Sequence, residues 1–237
     1  MLKVDAISAG YGKLQILSDI SLEADQGKVT VVVGPNGSGK STLLKSIAGL
    51  TNIYQGTVTL DGEVLSKLEP HAIARKGLAY LPQTDSTFAA LTVEENIKMA
   101  AYTVKASDIP DRLGTALEMF PQISKYMGTK VVSLSGGERQ MVAMAMAMMR
   151  KPTVMMFDEP TANLSPKLAL QVLRTVESFA KERGITVVLV EQNARRALEI
   201  GDRAYLLVGG RNTFSGAASE LLAHKELAQL YLGLKVA

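Results

Sequence analysis

The sequence contains no cysteine. That excludes disulfides and thiolate metal sites and fits a reducing compartment. It also lacks a strong charge of either sign. The formal net charge is +3, and no Lys/Arg run marks a basic groove, so no nucleic-acid partner is expected. Long apolar runs are missing as well. The longest, Met141 to Met149, lies between Gln140 and Arg150, far short of the roughly 20 residues that a membrane-spanning helix needs. The N-terminal stretch MLKVDAISAG has no signal-peptide apolar core. Any membrane association is therefore expected to come through partners. There is no internal repeat and no low-complexity tract. What remains is an ordinary globular composition, 47% apolar and 21% charged over 237 residues. That length can bury a sizeable core, as one large domain or one domain with a small lobe.

The most specific stretch present is Gly34-Pro35-Asn36-Gly37-Ser38-Gly39-Lys40-Ser41. It matches G-x-x-x-x-G-K-[ST], a loop that cradles nucleotide phosphates. The apolar, β-branched run Lys28 to Val33 before it reads as a buried strand, and Ser41 to Leu50 after it reads as a helix. Strand, loop and helix aim backbone N–H groups and a positive helix end at an anion. Gly37 and Gly39 are expected to let the backbone approach phosphates with no Cβ in the way. Lys40 is expected to reach the β- and γ-phosphates of ATP, and the Ser41 hydroxyl to ligate Mg²⁺.

Around this loop the chain predicts an α/β fold. Val4 to Ala9 and Leu14 to Leu22 read as strands about a Gly-Tyr-Gly turn. Thr57 to Leu60 and Glu63-Val64 read as a hairpin about Asp61-Gly62. Leu78 to Leu81 is a short strand ending at Pro82. From about Thr84 to Val132 the pattern changes to amphipathic helical pieces, Thr92 to Tyr102 and Asp111 to Phe120, broken by Pro110, Pro121 and Gly128. After Gly136 helices and strands alternate: helix Glu138 to Arg150, strand Val154 to Phe157, helix Pro166 to Arg183, strand Ile185 to Val190, helix Ala194 to Ile200, strand Arg203 to Val208. That alternation predicts a mainly parallel core sheet with helices on both faces, an N-terminal antiparallel β portion and an inserted helical lobe. The expected layout is a catalytic core of residues 1–83 and 136–237, with 84–135 as the inserted subdomain. Seven of the eleven methionines lie between Met141 and Met156. They are expected to fill the core and not to form a binding face.

Two further motifs carry chemistry. Val154-Met-Met-Phe-Asp158-Glu159 is an apolar strand delivering two carboxylates at its carboxyl end, where ligands of open α/β sheets bind. Asp158 is placed to hold Mg²⁺ through its water shell, and Glu159 to orient or deprotonate a water attacking the γ-phosphate. Leu134-Ser135-Gly136-Gly137-Glu138 opens an apolar helix, so that a hydroxyl and backbone N–H groups face outward at its positive end. The same residues also make a good helix cap.

With this pentapeptide between the other two motifs, the whole chain resembles the ATP-binding-cassette (ABC) ATPases, which are P-loop NTPases. The resemblance implies that two cassettes sandwich two ATP molecules, with Ser135, Gly136 and Gly137 of one meeting the γ-phosphate held by the other. It implies the stretch from Gly34 through Thr42 as the phosphate site. It further implies that Tyr11 stacks on adenine and that Gln83 senses Mg²⁺ and the attacking water. Two positions depart from the family pattern. Gln192 replaces the usual switch histidine, and Ala162-Asn-Leu-Ser165 lacks the usual aspartate, leaving Ser165 to substitute in part or only to cap a helix.

Glu191-Gln192-Asn193-Ala194 resembles the ATPases of branched-chain amino acid importers and their urea and amide relatives, as do Ala9 to Gln15, Leu91 to Asn96 and Leu230-Tyr-Leu-Gly233. That likeness implies a second ATPase subunit, identical or different, transmembrane permeases and, indirectly, a soluble substrate receptor. It implies a peripheral position at the cytoplasmic face of the cell membrane. Two alternatives stay open. His71 to Gln83 resembles the lipopolysaccharide-export ATPase, although that family keeps the histidine that Gln192 replaces. A soluble, non-transport ABC ATPase is the other, although those usually carry two cassettes or a long coiled-coil insertion.

Overall fold

The computed structural model of the chain describes residues 1–84 and 86–226. The segment Leu230-Tyr-Leu-Gly233 lies outside the described residues. In chain order the elements are β1 (Leu2–Tyr11), β2 (Leu14–Ala24), β3 (Val29–Val33), α1 (Lys40–Ile47), β4 (Asn52–Leu60), β5 (Glu63–Val64), α2 (Pro70–Arg75), β6 (Leu78–Leu81), α3 (Val93–Ala100), α4 (Ile109–Met119), α5 (Gly136–Met148), β7 (Val154–Asp158), α6 (Pro166–Lys181), β8 (Thr186–Val190), α7 (Ala194–Ile200), β9 (Arg203–Val208), β10 (Arg211–Ala217) and α8 (Ala218–Ala223). The chain divides into two compact units. Among the described residues one comprises Met1–Tyr80, Thr153–Glu159 and 173–226; the other comprises Leu81–Pro152 and Pro160–Val172.

The first unit is α/β. A six-stranded sheet has the order β10-β9-β3-β8-β7-β6, and a four-stranded sheet has the order β2-β1-β4-β5. The pairs β9–β3, β3–β8 and β8–β7 are parallel, while β1 pairs antiparallel with both β2 and β4. Strands β3, β7 and β8 are buried along their whole length, as expected of parallel strands covered on two faces. Alternate residues serve different faces. Val32, Val154, Met156, Val188 and Val190 join one cluster with Leu43, Leu44 and Ile47 of α1 and the apolar residues of β1, β2 and β4. Helix α1 is thus held between the two sheets. On β7's other face Phe157 stacks on Phe179 of α6, with ring centroids 6.0 Å apart.

Several elements exceed what the sequence predicts. β4 begins at Asn52, five residues before the apolar alternation starts. Its glycine-containing first half pairs with β1, whose register shifts between Asp5 and Ser8. β10 pairs with β9 across the turn Gly209-Gly210. The short helices α2 and α8 were likewise not foreseen.

The second unit packs α3 and α4 against α5. Pro110 does not break a helix there. It lies in the first turn of α4, where its missing N–H costs nothing and its fixed φ suits the helix. Met144, Met148 and Met149 of this unit, and Met155 and Met156 of the first, are buried, so these methionines fill cores as predicted. No described helix is long and apolar enough to cross a membrane.

The stack at Phe157 and Phe179 yields a prediction. Both rings are fully buried, so Phe179→Ala should destabilise the protein by about 3–5 kcal/mol. Denaturant unfolding followed by far-UV dichroism checks this. An unchanged midpoint would mean that the ring is not part of the core.

Candidate functional site

The phosphate-loop motif forms the connection from β3 to α1. Register fixes its level: Val32 aligns with Val190, and Val190 with Asp158. The loop therefore leaves β3 at the edge of the sheet where Asp158 ends β7. Pro35, Asn36 and Gly37 are exposed at its crest, whereas Ser38, Gly39 and Lys40 are buried. Gly37 has φ 77° and no heavy atom within 4 Å of its Cβ position, in keeping with a backbone open to close approach. Gly39 has a further constraint. Its φ is 101°, and a Cβ there would lie 2.6 Å from the Leu17 side chain. Glycine at 39 serves the packing of β2 over the start of α1.

The Lys40 ammonium donates to the carbonyls of Gly34 at 2.9 Å and Pro35 at 3.0 Å. Burial pushes its pKa below the usual lysine value, while the carboxylates of Glu159 and then Asp158 pull it back up. The cation thus stands in the field of both acids. Thr42 is buried on α1, its carbonyl accepting from the Ser46 hydroxyl at 2.7 Å.

Ser41 donates from Oγ to Asp158 Oδ1 at 2.9 Å, which joins the helix after the loop to the end of β7. Asp158 Oδ2 accepts from the Tyr80 hydroxyl at 3.1 Å. Burial pushes the Tyr80 phenol well above its ordinary value, and the charge of Asp158 and the hydrogen bond to it raise it further, so it remains a donor. The sequence reading missed Tyr80. It stood inside a recognised stretch as an apolar strand residue, and only the β6–β7 neighbourhood gives its hydroxyl a partner. One hydroxyl and one carboxylate form an oxygen-only set suited to a hard divalent cation that keeps most of its water. Among the described residues no group of three or more His, Cys, Asp or Glu is gathered for a metal, and such a cation needs none.

Glu159 follows directly. Its N–H extends the ladder by donating to the Val190 carbonyl at 2.9 Å, but its φ is 49°, a left-handed conformation uncommon for a residue with a side chain. The turn takes the carboxylate out of strand alternation. Gln192 is exposed in the turn between β8 and α7, after the buried Glu191. Tyr11 ends β1 and is 43% exposed. Its turn is tied to β4: Gly12 N–H donates to Asn52 Oδ1, and the Tyr54 hydroxyl donates to the Gly12 carbonyl, both at 3.0 Å.

The first unit therefore brings together the loop, Lys40, Ser41, Asp158 and Glu159, with Tyr11 and Gln192 on the same unit. Gln83, Ser135, Gly136 and Gly137 belong to the second unit. Gln83 is exposed just after β6. Ser135 is the N-cap of α5 in a reciprocal box: Glu138 accepts from the Ser135 N–H at 2.8 Å and from its hydroxyl at 2.7 Å, and Glu138 N–H points back at Ser135 Oγ. Gly136 and Gly137 pack against Leu164 and Leu168, leaving no room for a Cβ at Gly136 without displacement. Ser165 Oγ accepts from Leu168 N–H at 3.5 Å, a long capping contact at the start of α6.

The box carries a pH signature. The hydroxyls of Ser135 and Tyr126 and the Ser135 N–H hold the Glu138 carboxyl below its usual 4.5. A depressed carboxyl contributes stability above its unfolded pKa and loses it as pH falls through the folded one. Glu138→Gln should therefore be less stable than the parent at pH 6, with the difference in Tm shrinking below about pH 4.5. Thermal melts of both proteins from pH 6 to pH 3 test this, and a constant difference would contradict it.

Comparison with known proteins identifies the family. The family described as ABC transporter matches residues 17–162. A probable branched-chain amino acid transport ATP-binding protein, LivF, of Archaeoglobus fulgidus is 51% identical over 99% of both chains. The high-affinity branched-chain amino acid transport ATP-binding protein BraG of Pseudomonas aeruginosa is 38% identical over 98% of this chain and all of that one. Among solved structures, the ADP conformation of MJ1267, an ATP-binding cassette of an ABC transporter, superposes with a TM-score of 0.87 at 25% identity, covering 97% of each chain. On the phosphate loop, the paired acids after β7, the capped glycine turn before α5 and these full-length likenesses, the chain belongs to the ABC transporter family.

Proposed function

We propose that the chain is the ATP-binding and ATP-hydrolysing subunit of a membrane importer for branched-chain amino acids. The observation that carries the catalytic part is the Ser41–Asp158 hydrogen bond beside the buried Lys40. Three groups of the chemistry that phosphoryl transfer needs stand at one sheet edge. The substrate class rests on full-length identity to LivF and BraG, whose names carry it.

In this reading the loop N–H groups and Lys40 bind the β- and γ-phosphates, and Tyr11 stacks on the adenine. Ser41 and, through its water shell, Asp158 would hold Mg²⁺, and Gln83 would sense the ion and the attacking water; when bound the ion neutralises charge on the phosphate oxygens. Glu159 accepts a proton from the attacking water. Gln192 donates a hydrogen bond to the γ-phosphate and, unlike histidine, carries no charge that titrates near neutrality. Ser135, Gly136 and Gly137 serve the nucleotide of a second cassette. The pair drives permeases between two states, and the chain lies peripherally on the cytoplasmic face of the membrane. A receptor outside selects the amino acid.

Two measurements test the catalytic assignments, both with the partner cassette present. Glu159→Gln should keep ATP binding, lower turnover about 10²-fold or more, and accumulate an ATP-dependent dimer on size exclusion; normal turnover would remove Glu159 as the base. Gln192→Ala should lower the ATPase rate about 10- to 100-fold, the equivalent of roughly 1.5–3 kcal/mol for a hydrogen bond to a charged group. Gln192→His should remain active but acquire a pH dependence between about pH 6 and 7. A parental rate for Gln192→Ala across that range would make Gln192 a bystander. For the substrate, vesicles carrying the whole transporter should take up leucine with the parent and not with Lys40→Ala. Uptake that survives Lys40→Ala would contradict the coupling.

A further inference from the structure

We infer that Tyr80 is a positioning residue that fixes the Asp158 carboxylate for metal binding, an inference that rests on the reading of Ser41 and Asp158 as the Mg²⁺ site. Asp158 is almost wholly buried, and each of its oxygens has a different donor. Oδ1 receives the Ser41 hydroxyl at 2.9 Å, and Oδ2 receives the Tyr80 hydroxyl at 3.1 Å. The two donors come from separate elements, α1 and β6, so together they set the rotation of the carboxylate about its terminal bond. A buried charge with one oxygen unpartnered is unfavourable, and its plane is free to turn.

Both anchors are themselves held. The Tyr80 ring packs against the apolar cluster that surrounds α1, and its neighbours Leu78 and Leu81 are buried. The phenol therefore meets Asp158 without the disorder of a long side chain. An ionised carboxylate offers about four lone-pair directions. Ser41 and Tyr80 occupy one on each oxygen, which leaves the others available to a cation's water shell. Ser41 can also offer its own lone pair to a metal while still donating its proton. Tyr80 has no such second task. Its hydroxyl acts only through Asp158, and that makes the contribution separable by one atom.

Tyr80→Phe deletes the hydroxyl and keeps the ring. Binding of Mn²⁺, used as a spectroscopic stand-in for Mg²⁺, is followed by electron paramagnetic resonance on the protein with its partner cassette and a non-hydrolysable ATP analogue. Loss of a group that orients a metal-binding carboxylate predicts an increase of about tenfold in the half-saturating Mn²⁺ concentration. Nucleotide affinity in EDTA should stay at the parental value, the melting temperature should fall modestly because the buried Asp158 Oδ2 loses its donor, and turnover should recover at saturating metal. A metal midpoint within twofold of the parent overturns the inference. So does a parallel loss of metal-free nucleotide affinity, which would mean that the hydroxyl supports the fold of the site as a whole. If the parent itself binds no Mn²⁺ with the analogue present, the reading of Ser41 and Asp158 falls, and the inference with it.

Discussion

The hydrogen bond between Ser41 and Asp158 is the constraint on which the site depends. It joins two segments 117 residues apart in sequence, one on the helix after the phosphate loop and one at the end of a central strand. Neither segment is free to adjust. Helix α1 is gripped between two sheets through Leu43, Leu44 and Ile47, and β7 is buried along its length beside β8. The bond follows from strand register and core packing and does not have to be formed at the expense of ordering two mobile side chains. Lys40 gains in the same way. Its ammonium is buried with two loop carbonyls and lies in the field of two carboxylates, so it is poised to exchange those carbonyls for a stronger anion.

The second unit solves a related problem by different means. In the proposed reading its glycine turn presents N–H groups at the start of α5, an end that must also be capped. Glu138 does the capping from within, through the Ser135 N–H and hydroxyl, while Gly136 and Gly137 allow Leu164 and Leu168 to close against the turn. Capping and the proposed anion recognition therefore use the same end of the same helix. Asn96 supports the segment upstream. Its fully buried amide accepts from Phe88 N–H and donates to the carbonyls of Phe88 and Thr92. That gives a physical role to the last residue of the Leu91 to Asn96 stretch.

Much of the first unit was legible because its signals are local. The strands β3, β7 and β8 are short apolar runs, and the loop and paired acids flank them directly. What escaped was set by distant partners. The first half of β4 has no apolar alternation and exists because β1 lies beside it. β10 follows a Gly-Gly pair that is a hairpin signal in its own right, but its polar, half-exposed residues resemble a loop. Pro110 read as a breaker because its position within the helix, first turn or interior, is not a local property. Tyr80 is the instructive omission at the site. Its hydroxyl matters only because β6 brings it to Asp158, and no spacing rule carries that information. At Gly39 the motif predicts ligand approach, and only the fold adds a second reason for glycine, the side chain of Leu17 on another strand.

The most direct test of this account is a crystal structure of the chain with a non-hydrolysable ATP analogue and Mg²⁺. The account predicts the γ-phosphate within hydrogen-bonding distance of the Lys40 ammonium and the metal bound by the Ser41 hydroxyl, with its water shell on Asp158. It also predicts the Tyr80 hydroxyl still on the carboxylate. A nucleotide bound elsewhere, or a metal that engages neither Ser41 nor the surroundings of Asp158, would contradict it.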